Sequence, residues 1–170
     1  MDKNLLIMSE MPQHFINLAD ENFKTYKLWL QEDEDKFLDE VKLDVDAIAV
    51  MSGYKITPEL MKNMPNLKVI ACYGVGYDAI DIDCAKSLGI KVTNTPEVLN
   101  DEVADTAIAL MLCVYKKIVT ADNFARNNSW INGDFPLTKK FTGTKLGIVG
   151  MGRIGKAIAE RAEAFKCEVY

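Results

Sequence analysis

The chain has one histidine, His14, and no two of its four cysteines are spaced as Cys-x-x-Cys. A metal site built on imidazole and thiolate therefore has too few donors. Cys72, Cys84, Cys113 and Cys167 are widely separated, and Cys72 and Cys113 sit inside apolar runs. They read as reduced, buried thiols of a cytoplasmic protein and not as a disulfide framework. Cations are also scarce: 20 Lys and Arg against 25 Asp and Glu leave a net charge of −5. No basic cluster stands against that background, which excludes a nucleic-acid surface held by phosphate neutralisation. No apolar run reaches the length needed to span a membrane. The run nearest the N-terminus, Leu5 to Met8, is too short for the core of a signal peptide. Internal repeats and low-complexity tracts are absent.

What is present is an ordinary globular balance, 49% apolar and 26% charged over 170 residues. That length suits one domain, or one domain and part of another. The most informative stretch is KLGIVGMGRIG, Lys145 to Gly155. Leu146, Ile148 and Val149 suit a short strand buried on both faces. Gly150-Met151-Gly152-Arg153-Ile154-Gly155 follows at once, and Lys156 to Phe165 reads as a helix. A GxGxxG run between strand and helix is the context that dinucleotide binding requires. Gly150 allows the tight turn, Gly152 lets a pyrophosphate approach the backbone, and Gly155 lets the helix lie close to the strand. The free N–H groups and the positive dipole end at the helix start then face phosphate. The competing reading is a glycine turn with a structural role alone.

Ahead of that stretch, strand and helix alternate. Strands are expected at Asn4 to Met8, Phe23 to Leu28, Ala47 to Met51, Leu67 to Cys72 and Ile90 to Thr93. Helices are expected at Pro12 to Leu18, Gln31 to Val41, Thr57 to Met64 and Asp81 to Leu88. Thr57 is placed as a cap ahead of Pro58, and Gly89 closes the last of these helices. The acidic run Glu32-Asp33-Glu34-Asp35 suits the positive end of a helix dipole and reads as a solvated helix start. Such alternation predicts an α/β fold with a parallel sheet covered by helices. Ligands of open α/β sheets sit at the carboxyl ends of strands. Two glycine turns lie there, Ser52-Gly53 and Gly74-Val75-Gly76, and their N–H groups suit a carboxylate or phosphate.

Asn100 to Tyr115 is the most apolar helix, with Asn100 or Asp101 as its cap. Apolar residues occur on nearly all its sides from Val103 onward, so it must be buried all round. Two arrangements satisfy this: a central core helix, or a helix completed by another subunit. A second amphipathic segment, Ile118 to Arg126, precedes a loop, Asn127 to Phe141, that Trp130, Phe135 and Pro136 are expected to order. Ile154, Ala157, Ile158, Ala162 and Phe165 form one stripe after the glycine turn. Cys167 to Tyr170 begins another strand.

In this order, YGVGYDAID (73–81), GIKVTNTPEVLNDEVADTAIALML (89–112) and KLGIVGMGRIGKAIAERAEAF (145–165) resemble the D-isomer-specific 2-hydroxyacid dehydrogenases. Arg126, Trp130 and the run from Gly133 to Thr138 also match that family's connecting segment. Within the family the chain is most similar to the glyoxylate/hydroxypyruvate reductase branch. The resemblance implies a flavodoxin-like substrate domain, residues 1–98, followed by the first βαβ part of an inserted Rossmann NAD(P)-binding domain, residues 99–170. It implies a homodimer through helix 100–115. It gives the substrate carboxylate to the amides of Val75 and Gly76, with Ser52 and Gly53 near the same place. Gly150, Gly152, Arg153, Ile154 and Gly155 are implied to bind the cofactor. Asn100 joins that set, standing where the family commonly has threonine.

The implied reaction is hydride transfer between NADP or NAD and a small 2-keto or 2-hydroxy acid, with the branch leaning toward NADP. Its arginine, glutamate and histidine come later in the family than residue 170, so no catalytic residue is assigned here. His14 lies in the wrong segment for that role. Glu168 is near the position of a ribose-binding carboxylate but sits too early in its strand. The chain is thus read as an N-terminal portion, inactive alone. The alternative reading is a non-catalytic binding protein that keeps a dehydrogenase-like fold.

Overall fold

The computed structural model describes residues 3–170. Contacts divide the chain into two units, one ending at Pro96 and one running Glu97–Tyr170.

The first unit is built on five strands: β1 (Asn4–Ile7), β2 (Lys24–Lys27), β3 (Ala47–Met51), β4 (Val69–Tyr73) and β5 (Lys91–Thr93). They pair in the order β2-β1-β3-β4-β5, every pair parallel. This is the flavodoxin-like order, in which the chain reverses direction across the sheet between β1 and β3. Side chains alternate faces along each strand. Leu6, Ile48, Val50, Ile70 and Cys72 therefore share one buried face, and Leu5, Ile7 and Ala49 share the other.

Helices α2 (Glu34–Val41), α3 (Pro58–Lys62) and α4 (Ile82–Ser87) cover the first face through Val41, Met61 and Ala85. Helix α1 (Gln13–Asn22) covers the second through Ile16 and Ala19. The second face is less fully covered: Val69 and Ala71 are only half-buried and Tyr73 is exposed.

Local chemistry explains the helix starts. Asp33 accepts from the Lys36 N–H, Thr57 from the Leu60 N–H and Asp81 from the Cys84 N–H, each satisfying a donor that the helix leaves free. The first of these starts α2 two residues inside the acidic run, later than the sequence suggested. Helix α1 runs on to Asn22, past the expected Leu18.

The second unit begins with α5 (Asn100–Lys116). Lys117 then takes a left-handed conformation (φ 49°), which turns the chain into α6 (Ile118–Arg126). A short 3₁₀ turn (Ser129–Asn132) and an extended segment lead to β6 (Lys145–Leu146), α7 (Arg153–Ala164) and β7 (Glu168–Val169). The two strands pair in parallel through α7. The core is Ile108, Phe141, Ala162 and Cys167, with Met111, Tyr115 and Phe165 packed against it. Arg161 ties α7 to α5 through Asp101 at 2.9 Å and through Asp105, one helical turn further on. The two carboxylates push the guanidinium's already high pKa further up.

Two expectations need correction, and one pair of alternatives narrows. Leu99, not Asn100 or Asp101, stands at the cap of α5, and its side chain makes no capping hydrogen bond. The helix begins one residue earlier than a cap at Asn100 allows. Of the two arrangements open to α5, a central core helix of this chain is not what is found: Ala104 and Ile108 are buried while Leu110 is 61% and Val114 is 75% exposed. Its apolar circumference exceeds what α7 and the loop at Phe141 cover. Nor is β6 buried on both faces. Lys145 and Leu146 pair with β7 and the Ile148 N–H still reaches the Tyr170 carbonyl at 2.9 Å, but Val149 is fully exposed, because this unit offers two strands and no layer over that position. In the following loop Phe135 does pack edge-on against Phe124, centroids 5.3 Å apart, whereas Trp130 remains 60% exposed.

Candidate functional site

Two glycine-rich stretches stand at the carboxyl ends of strands, one in each unit. In the first unit β3 ends at Met51 and β4 at Tyr73, paired side by side. Ser52 and Gly53 turn the chain away after β3, with Gly53 at φ 89°. Gly74, Val75 and Gly76 do the same after β4. Gly74 has φ 155°, and a Cβ there would lie 2.4 Å from the Ser52 Cβ. No other residue type fits against Ser52 without moving backbone.

The loop is held by its carbonyls. The Ser52 hydroxyl donates to the Gly76 carbonyl at 2.8 Å, and the Cys72 thiol donates to the same oxygen at 3.4 Å. The Asn94 side-chain amide donates to the Val75 carbonyl at 2.8 Å. The Thr95 backbone N–H donates to the Gly74 carbonyl at 2.9 Å. Among the described residues, the N–H groups of Val75 and Gly76 meet no protein acceptor. Two adjacent unpaired N–H groups on a fixed loop can take the two oxygens of a carboxylate. Burial pushes the Cys72 thiol's pKa up, so it stays protonated and able to donate.

In the second unit the turn runs from Gly147 to Gly152 between β6 and α7. Gly150 is left-handed at φ 100°. A Cβ on Gly155 would fall 2.2 Å from the Gly150 carbonyl oxygen. The helix therefore crosses the turn at a distance only glycine permits. A Cβ on Gly152, by contrast, would meet nothing within 4 Å. The space in front of that backbone is open. Helix α7 has no side-chain cap, and its first intrahelical bond runs from the Lys156 N–H to the Gly152 carbonyl at 3.0 Å. The N–H groups of Arg153, Ile154 and Gly155 are thus left without intrahelical partners. An uncapped helix start beside open space is where a pyrophosphate fits.

The structure brings Ser52, in the turn after β3, against the loop that carries Val75 and Gly76, with its hydroxyl spent on the Gly76 carbonyl. Gly53 lies beside Ser52, and a Cβ on it would meet nothing within 4 Å. The cofactor candidates from Gly150 to Gly155 run continuously from the end of the turn into the first residues of α7. Asn100 is half-buried at the first position of α5, and among the described residues its side chain has no hydrogen-bond partner. His14 is exposed in α1, away from either glycine stretch in sequence. Glu168 opens β7 and accepts from the Tyr170 hydroxyl at 2.9 Å.

Asn94, Thr95 and Glu97 were not singled out from the sequence. The first two lie just past the carboxyl end of β5, so the rule that pointed to Ser52 and Gly74 also pointed to them. Glu97 has φ 70° and pairs with Arg153 at 2.9 Å. Nothing in its sequence surroundings signals that pairing. No group of three or more His, Cys, Asp and Glu side chains suited to a metal ion occurs among the described residues. Among them, too, no helix is long and apolar enough to cross a membrane.

Comparison with known proteins adds the lineage. Residues 5–166 match the sequence profile of a family described as D-isomer specific 2-hydroxyacid dehydrogenase, catalytic domain. A hydroxyphenylpyruvate reductase of Plectranthus scutellarioides is 39% identical over 165 residues, covering 97% of this chain and 53% of the relative. A 2-hydroxyacid dehydrogenase structure from Ketogulonicigenium vulgare superposes with a TM-score of 0.94 at 34% identity, over 99% of this chain and 54% of that one. The NADPH-dependent glyoxylate/hydroxypyruvate reductase of Sinorhizobium meliloti, in complex with NADP and malonate, superposes with a TM-score of 0.83 at 35% identity, over 99% of this chain and 52% of that one. The chain spans about half the length of the curated relatives it matches.

Proposed function

The chain belongs to the D-isomer-specific 2-hydroxyacid dehydrogenase family, and from that premise we propose that it supplies the carboxylate-binding and dinucleotide-binding portions of an NAD(P)-dependent reductase of small 2-keto acids. The glyoxylate/hydroxypyruvate type is the one we assign. The observation that carries the reading is the pair of unsatisfied N–H groups at Val75 and Gly76, on a loop whose carbonyls are all tied down. A 2-keto acid needs its carboxylate fixed so that its keto carbon is presented in one orientation. The two amides do this without a charged side chain. Ser52 braces the loop from the adjacent strand, and Gly53 leaves the space beside it open. The malonate bound by the Sinorhizobium meliloti relative is itself a carboxylate.

The dinucleotide is assigned to the turn from Gly150 to Gly155. The residues fit it: Gly152 stands before open space, Gly155 allows the helix its close approach, and α7 is uncapped. The amides of Arg153 and Ile154 would hold the pyrophosphate, with the Arg153 guanidinium beside them and Asn100 as a further contact. When bound, the reduced nicotinamide supplies a hydride to the keto carbon. NADP is favoured over NAD, as in that relative. Proton donation is assigned to no residue of this chain, since its one histidine, His14, is an exposed residue of α1. The family's homodimer is assigned to α5, whose exposed Leu110 and Val114 would be covered by a second copy. Domain roles follow the same division: substrate side to Pro96, dinucleotide side from Glu97.

The test is to mix the pure 170-residue protein with NADPH and glyoxylate and follow nicotinamide absorbance. No oxidation of NADPH above the buffer rate is expected. Turnover that a Val75→Pro substitution leaves unchanged would overturn both the assignment of the carboxylate site and the absence of a proton donor.

A further inference from the structure

A trans peptide unit is planar, so its C=O and its N–H point in opposite directions. Whatever holds the carbonyl of one residue therefore aims the N–H of the next. The loop after β4 makes this arithmetic concrete. The Gly74 carbonyl accepts from the Thr95 N–H at 2.9 Å, and the peptide unit it belongs to carries the Val75 N–H. The Val75 carbonyl accepts from the Asn94 Nδ2 at 2.8 Å, and its peptide unit carries the Gly76 N–H. Each of the two amides assigned to the substrate is thus aimed from behind by a different donor, and both donors sit just past the end of β5.

We propose that Asn94 is the positioning residue for the substrate carboxylate: it holds the Val75–Gly76 peptide plane so that the Gly76 N–H faces the ligand. The proposal rests on the carboxylate reading given above and adds to it the group that sets the geometry. Asn94 suits the task chemically. Only its amide nitrogen can donate to a carbonyl, so the contact fixes which way round the side chain lies. It is half-buried, and strand β5 anchors its backbone against β4. Its neighbour Thr95 does the equivalent work through the backbone and is indifferent to side-chain substitution. The two amides therefore differ in a way that mutation can separate. Ser52 and Cys72 act on the Gly76 carbonyl, which belongs to the following peptide unit and aims the Tyr77 N–H instead. A Cβ on Gly76 would lie in ordinary contact with the Ser52 Oγ at 3.4 Å and an Asp78 carboxylate oxygen at 3.5 Å.

The experiment is a titration of the ¹⁵N-labelled 170-residue protein with sodium glyoxylate at constant ionic strength, read at single amides by NMR. In the unsubstituted protein the Val75 and Gly76 amide resonances are expected to shift together and saturate. In Asn94→Ala the Gly76 shift should shrink while the Val75 shift persists. The apparent affinity should fall about three- to tenfold, the worth of one neutral hydrogen bond. Equal loss at both amides would mean a merely structural role and overturn the proposal. So would a Gly76 response unchanged from the unsubstituted protein. No shift at either amide in the unsubstituted protein would overturn the carboxylate reading itself, and the proposal with it. Should Asn94→Ala fail to fold, the unsubstituted protein still decides. Its Asn94 side-chain amide resonances should follow the same binding curve as Gly76, and resonances that stay fixed at saturation would overturn the assignment.

Discussion

Asp46 shows how much one side chain settles in this chain. Its carboxylate accepts from the Asn4 backbone N–H at 3.1 Å and pairs with Lys3 at 3.2 Å. Its own N–H donates to the Asn4 carbonyl, and its carbonyl accepts from the Lys68 N–H. The amino ends of β1, β3 and β4 are thereby gathered on one residue. The Asn4 N–H above all, then Lys3 and Lys68, hold the Asp46 carboxyl below the usual carboxylate range. A depressed folded pKa contributes stability that is complete above the unfolded value, about 3.9, and is lost as pH falls through the folded one. Asp46→Asn should therefore flatten the acid limb of the stability curve below about pH 4. Urea unfolding at a series of acid pH values checks this. Parallel acid limbs in the two proteins would show that Asp46 contributes nothing there. At this same scale the glycines were readable in advance and Asn94 was not. A glycine announces its own exemption from steric limits, as Gly74 and Gly155 do. A side-chain amide such as that of Asn94 matters only through which carbonyl the fold brings to it, nineteen positions earlier in the chain.

Elements were legible where their cover lies within the chain. β3 at Ala47–Met51 and α6 at Ile118–Arg126 match the expected bounds residue for residue. For β3, neighbours on both sides and helices on both faces satisfy the apolar run that announced it. The run at Leu146 to Val149 announced the same thing and did not receive it. Apolar character states a demand for burial, not what will meet it. The same applies to α5. Its sequence pattern could not choose between a core helix and a subunit contact, and the structure leaves Leu110 and Val114 exposed on a helix whose other side is packed on Phe141 and Phe165. If a second copy covers that side, the protein should sediment as a dimer. Val114→Glu places a charge on each side of a two-fold contact. Burying a valine is worth roughly 1.5–3 kcal/mol, so dimer affinity should fall by at least about tenfold. Analytical ultracentrifugation over a concentration series decides it. A protein that remains monomeric at all concentrations would remove the dimer assignment from α5.

At the scale of the whole molecule, two units each present a glycine turn at strand ends, and the two turns suit different anions. The loop at Val75 and Gly76 offers two amides braced from behind, suited to a small carboxylate. The turn before α7 offers an uncapped helix with open space at Gly152, suited to a larger phosphate group. The parallel order of the first sheet was legible from strand–helix alternation, because only crossover connections allow it. The order β2-β1-β3-β4-β5 was not written in any single segment; the family resemblance supplied it. We assign the dinucleotide to the second turn. An amide-resolved NMR titration of the 170-residue protein with NADPH tests that assignment most directly. Saturable shifts are expected, greatest at Gly152, Arg153, Ile154 and Gly155 and abolished by Gly155→Val. Shifts centred elsewhere, or none at those four amides at saturating NADPH, would contradict it.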